Sequence, residues 1–157
     1  MASILTSQIR SAAQESVLCW LASVDPDGQP NVTPKEAFAL LDDDHVVVAN
    51  IASPGSAKNI RYNPLVCLSF IDIFVQKGFK IKGVAVEYIS SDEGYDNWLS
   101  PLRGIVGQRF PVNSIFVIQA TSVEPIVAPS YWLYPETTTR ESQVENALIT
   151  YGVTRSR

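Results

Sequence analysis

Apolar residues in this chain gather in short runs rich in β-branched side chains, divided by clusters of Pro, Gly, Asn and Asp. Such runs read as strands and the clusters as turns. Residues 17–24 give the first strand. Asp25-Pro26-Asp27-Gly28-Gln29-Pro30 follows. Proline fixes φ and glycine accepts a positive one, so a hairpin turn is expected there, leading into a second strand over residues 31–41. Asp42-Asp43-Asp44 reads as a solvated turn, not a metal site, because adjacent carboxylates point different ways. Residues 45–51 and 65–70 are further apolar strands, 79–90 a long one, and 114–123 the last strong one. Gly83 breaks the alternation of its strand, which indicates a bulge or a close approach of backbone or ligand.

Helical spacing is confined to a few places. Thr6 or Ser7 can cap a helix reaching Glu15, whose few apolar positions put it on the outside. Ser91-Asp92-Glu93 starts another to about Leu102, followed by a Gly- and Pro-containing connector over residues 103–112. Val144, Leu148 and Tyr151 give the tail from about residue 136 a helical face, with Gly152 as its stop. These helices do not alternate with strands as βαβ units, which excludes a Rossmann-type sheet. The reading is a single domain over residues 1–157, mainly β with peripheral helices. A closed or partly closed antiparallel barrel is expected, since closure removes exposed strand edges.

Between two of these strands lies the most suggestive chemistry. Ala52-Ser53-Pro54-Gly55 reads as a loop, Ser56-Ala57-Lys58-Asn59 as the start of a short helix, and Asn63-Pro64 as its stop. A helix N-terminus carries unpaired N–H donors and a partial positive charge. With hydroxyls and an ammonium added, it is ready to take an anion, foremost the phosphate of a nucleotide or flavin. Ser56 reads equally as a plain N-cap.

Composition narrows the field. The formal net charge is -4, with a sequence pI of about 4.9, and a nucleic-acid surface would need a basic face. Hydrophobic residues at 46% fit a folded core, and no apolar run reaches the length of a membrane span. The first residues lack a basic region followed by a long apolar core, so no signal peptide is expected. Cys19 and Cys67 sit in strand patterns, and with His45 the lone histidine no metal is expected. Free thiols suit a reducing compartment, and a cytoplasmic protein is expected.

Over residues 17–123 the chain resembles the small FMN-binding split-barrel proteins related to pyridoxamine 5′-phosphate oxidase. The resemblance is carried by Pro30-Asn31-Val32-Thr33-Pro34-Lys35, Val48-Ala49-Asn50, Gly55-Ser56-Ala57-Lys58-Asn59, Asn63-Pro64-Leu65-Val66 and Lys77-Gly78-Phe79-Lys80-Ile81-Lys82-Gly83, in that order. It implies an antiparallel split β-barrel, a homodimer, and FMN held at the subunit interface. Ser56, Lys58 and Asn59 then look like phosphate ligands, and Thr33, Pro34 and Lys35 like the strand beside the ribityl chain and phosphate. Ala49 and Asn50 look like the strand end meeting the flavin ring. Gln76, Lys77 and Gly78 look like the segment facing the ring from one side, as a contribution of the same or the partner subunit. A cation there would raise the flavin potential, and Gly78 would let main chain approach the ring.

Two departures limit what carries over. The oxidase's C-terminal Trp-x-x-x-Arg-Leu-x-Pro segment has no counterpart in Tyr151-Gly152-Val153-Thr154-Arg155-Ser156-Arg157. Its Ser-Arg-Lys triplet is Ser56-Ala57-Lys58 here, one cation fewer. Turnover of pyridoxamine phosphate itself is therefore not expected. The leading expectation is FMN-dependent oxidoreduction of a small substrate, with no catalytic residue identified. A flavin carrier, electron-transfer or sensor protein, or the same barrel holding a deazaflavin or haem, stays open. Several residues have plainer readings. Lys35 reads equally as a charged strand edge, Lys80 and Lys82 as a solvated face, and Trp20 as core or dimer packing. Trp98 or Trp132 could stack on a ligand, and Arg103 and Arg109 read as surface ion pairs or anion ligands.

Overall fold

The computed structural model, which describes residues 3–156, joins seven strands into one sheet in which every neighbouring pair is antiparallel. In chain order they are β1 (Cys19–Val24), β2 (Pro30–Lys35), β3 (Phe38–Leu40), β4 (His45–Asn50), β5 (Leu65–Asp72), β6 (Lys77–Tyr88) and β7 (Ser114–Val127). The order across the sheet is β2-β1-β5-β6-β7-β4-β3. The two borders are therefore strands separated in the chain only by Glu36 and Ala37. Such a link spans about 10 Å at most. The borders must meet at this corner, so the sheet curls into a split barrel. Ala49 N–H donates to Ala37 O at 2.9 Å, carrying the β4 ladder into the link. The single strand expected over 31–41 is thus two strands on opposite borders, because the chain has to cross the split.

Side chains facing inward include Leu21, Leu68, Phe70, Ile81, Phe116 and Ile118, all buried. Helix α1 (Ser7–Glu15) seats Ile9 against this core, and α2 (Pro54–Tyr62) adds Ala57 and Ile60. β4 is buried on both faces: Val46 and Val48 point inward, Val47 and Ala49 outward to a second cluster. That explains its unbroken apolar run, since a strand covered on both sides needs no alternation. The outer cover is α3 (Tyr95–Leu99), a 3-10 turn (Ser100–Leu102) and α4 (Arg103–Val106), which bring Tyr95, Leu102 and Val106.

Other boundaries differ from expectation for local reasons. α2 starts at Pro54, not Ser56, since proline is pre-organised for the first helical position. The helix expected from Ser91 begins only after Gly94, which stands at φ 82, and it continues into the supposed connector as far as Val106. The short α5 (Ser130–Leu133) carries no sequence signal that separates it from a turn. The tail is helical as α6 (Arg140–Tyr151), closed by a capping box at Thr139 and by Gly152 at φ 65. Gly83 does sit at a register shift between β6 and β7. A Cβ there would run into the carbonyl of Gln119.

Candidate functional site

The site begins with Lys35. As the last residue of β2, opposite Cys19 of β1, its side chain points into the barrel and is only 7% exposed. No carboxylate lies within ion-pair distance among the described residues. Its Nζ donates instead to Ser53 Oγ, and it stands 6.0 Å from the centre of the Phe116 ring. Burial disfavours the charge and pulls the ammonium below the usual lysine value, with a small opposing pull from Cys19. The same burial pushes the Cys19 thiol up to about 12, so it stays protonated and inert. A buried cation without a counter-ion is costly, and an anion drawn to it would remove that cost. The reading of Lys35 as an exposed edge charge is corrected.

Ser53 is the N-cap of α2, yet its hydroxyl makes no capping bond. Its backbone N–H is held by Asn50 Oδ1 at 2.9 Å, and Asn50 Nδ2 donates to Ser114 Oγ at 2.8 Å. The end of β4 thereby fixes the start of the helix. Pro54 has no N–H, and the next amides lie in the first turn, where helices lack internal acceptors. Lys35 and the N-cap Ser53 line one cleft of about 620 Å³ together with Thr33, Pro34, Glu36 and Ala49. Ser56 is fully buried in that first turn and hydrogen-bonds Thr33 Oγ1 at 3.2 Å, a role in joining α2 to β2 and not in capping. Asn59 is buried too, and donates to Ser23 Oγ at 3.1 Å. Lys58 is exposed and does not line the cleft.

Thr33, Pro34, Lys35 and Ala49 therefore meet in one place, with Asn50 and Ser56 behind them. Residues 76–78 do not join them within the protomer. Gln76 ends the turn from β5 to β6 at φ 55, and Lys77 and Gly78 open β6, paired with Asp72 and Ile71. Lys77 and Gly78 line a different cavity with Glu15, Asp72 and Arg140, and the two cavities share no residue. Lys77 Nζ lies 3.9 Å from the centre of the Tyr131 ring. The glycine at 78 has a reason unrelated to a ligand: a Cβ would collide with the Phe70 carbonyl on β5.

Ser53, Glu36, Leu18, Ile51, Ile105, Val106 and Phe110 also line the cleft and were not singled out from sequence. Ser53 was findable, since a serine directly before a proline at a helix start is an N-cap signal. Glu36 and Ile51 directly follow Lys35 and Asn50 in the chain, while Leu18, Ile105, Val106 and Phe110 come from segments joined only by the fold. Elsewhere, Arg103 pairs with Asp96 at 2.6 Å, and Lys80 and Lys82 both pair with Glu124, whose carboxyl they hold at about 2. His45 Nδ1 lies 2.9 Å from both Asp42 and Asp44, and its ring sits 5.4 Å from Trp98. Trp20 lies on the outer face of the sheet, half exposed, so the core reading for it fails.

Fold and cleft define a class: antiparallel split barrels with an anion-ready corner beside an apolar wall. Residues 5–126 match the family model described as pyridoxamine 5'-phosphate oxidase, and the chain belongs to that family. Among solved structures it is similar to HupZ of Group A Streptococcus, at 21% identity over 75% of this chain and 90% of that one, with a TM-score of 0.64. It is also similar to an FMN-binding protein from Syntrophomonas wolfei, at 16% identity over 79% and 87%, TM-score 0.66. An F420 reductase aligns at 19% identity over 76% and 97%, TM-score 0.57. No curated protein matches the chain significantly. No helix among the described residues is long and apolar enough to cross a membrane.

Proposed function

We propose that the protein is a flavoprotein that binds FMN with its phosphate at Lys35 and the first turn of α2. The observation that carries this reading is the buried Lys35 ammonium, turned toward a helix start and lacking a carboxylate partner. A phosphate ester dianion suits that set of donors: an ammonium, the Ser53 and Thr33 hydroxyls and free amides of the turn. Asn50 positions the turn through the Ser53 amide, and the Ala49 strand end offers a flat apolar surface for a ring. Bound FMN would supply hydride and electron transfer to a small substrate. The chain's own part is to hold, orient and shield. Glu36 is the one titratable acid lining the cleft, and it is exposed.

A homodimer sharing the cofactor is part of this reading, because Lys77 and Gly78 lie away from the cleft of their own protomer. Haem is disfavoured, since the lone histidine, the first residue of β4, does not line the cleft. The free thiols of Cys19 and Cys67 are in keeping with a cytoplasmic setting. The test is to purify the protein, release any bound ligand by heat and identify it by mass spectrometry, then titrate ligand-free protein with FMN. About one FMN per chain is the expected result; a deazaflavin or haem in its place, or no saturable uptake, overturns the reading. Reoxidation of the reduced flavin by small acceptors then separates an enzyme from a carrier.

A further inference from the structure

Lys35 and the start of α2 account for only part of the cleft. The remainder is apolar: Leu18, Ala37 and Ile51 on the barrel side, and Ile105, Val106 and Phe110 from α4 and the segment after it. Ile105 and Phe110 are each about half exposed, so their apolar surface stands open at the mouth. Besides Lys35, the one charged side chain in the lining is Glu36. None of the nearby arginines lines the cleft. Arg103 is held by Asp96 at 2.6 Å. The guanidinium of Arg109 lies 5.7 Å from the Phe110 ring centre and does not line the cleft, and Arg10 donates to the carbonyls of Leu40 and Asp42.

We infer that the second compound admitted to this cleft, the substrate, is uncharged and presents an apolar ring face, and that phosphorylated or carboxylated compounds are discriminated against. The inference rests on the flavin reading above, in which the cofactor phosphate takes Lys35. Once that cation is neutralised, the charge left in the lining is the carboxylate of Glu36. An anion entering would lose water against a like charge and find no second cation among the lining side chains to replace it. A flat apolar compound loses little and covers the open faces of Ile105 and Phe110. Selection thus combines an attractive wall with a repulsive charge.

The experiment is calorimetric titration of the FMN-loaded protein with menadione, an uncharged quinone, and separately with pyridoxamine 5'-phosphate. Menadione is expected to bind at least about tenfold tighter. Ile105→Asp and Phe110→Ser, both at half-exposed positions that tolerate change, should each weaken menadione about fivefold or more. Glu36→Lys should strengthen the phosphate ester by a similar factor. Equal or tighter binding of the phosphate ester by the wild-type protein overturns the inference, as does menadione affinity indifferent to both wall variants. Protein that takes up no FMN would defeat the flavin reading and this inference with it. FMN-loaded protein that prefers the phosphate ester would overturn this inference alone and leave the flavin reading standing.

Discussion

Lys35 decides how the cleft behaves. Its charge is buried without a carboxylate partner, so the ligand-free protein carries a destabilising ammonium. Lys35→Met keeps the volume and removes the charge. Ligand-free protein should gain about 1–3 kcal/mol in denaturant unfolding, while FMN affinity falls about 10- to 100-fold. A variant that loses stability and keeps its FMN affinity would show that the side chain serves packing alone. A pH dependence follows from the same residue. Its folded value lies below the usual 10.5, so between the two the unfolded chain holds a proton that the folded chain has released. Stability of the ligand-free protein should therefore rise with pH through that window and level off above 10.5. The rise should vanish in Lys35→Met and flatten with FMN bound. Thermal melts of the three samples across the alkaline range check this. The sequence marked Lys35 as a candidate but left its environment open, because burial depends on which strands lie opposite. Lys58 was the converse: its position beside a helix start looked decisive, but the start lies earlier, and the helical turn carries Lys58 out to solvent.

At the level of elements, what could be read was the periodic part. β1, β4, β5, α1 and the glycine stop of α6 fall where apolar spacing and turn chemistry put them. What could not be read was where a strand changes partners. Nothing local in Lys35-Glu36-Ala37 says that the residues before it pair with β1 and those after it with β4. Gly78 shows the same limit. From sequence a glycine there fits a close ligand; in the fold it fits a close strand. Gly78→Ala should push β5 and β6 apart and cost about 1–3 kcal/mol, read as a lower midpoint in denaturant unfolding. A loss below about 0.5 kcal/mol would mean that the strands give way without strain.

On the scale of the whole molecule, the outer face of β1, β2, β5 and β6 exposes several apolar side chains beside the ion pairs of Lys80 and Lys82 with Glu124. Trp20 lies across from Pro34, Ala22 from Val32, and Leu65 from Val84, with Val86 further along. Trp20, Val32, Leu65, Val84 and Val86 are all exposed in the single chain. Exposed apolar side chains in this number on one face suit contact with a second copy of the chain. In sedimentation the protein should run as a dimer, and Leu65→Glu should shift it toward monomer with loss of bound flavin. A wild-type monomer that keeps its flavin would sink the shared-cofactor arrangement. The two-residue bridge between the borders also has a consequence for biosynthesis. Beyond β3, β4 pairs in the sheet only with β7, so the early hairpin of β3 and β4 has no strand to extend it until residues 114–127 have been made. The nascent chain must hold a greasy ribbon in waiting while everything between is translated, and the cavity for its ligand comes into being with the final strand.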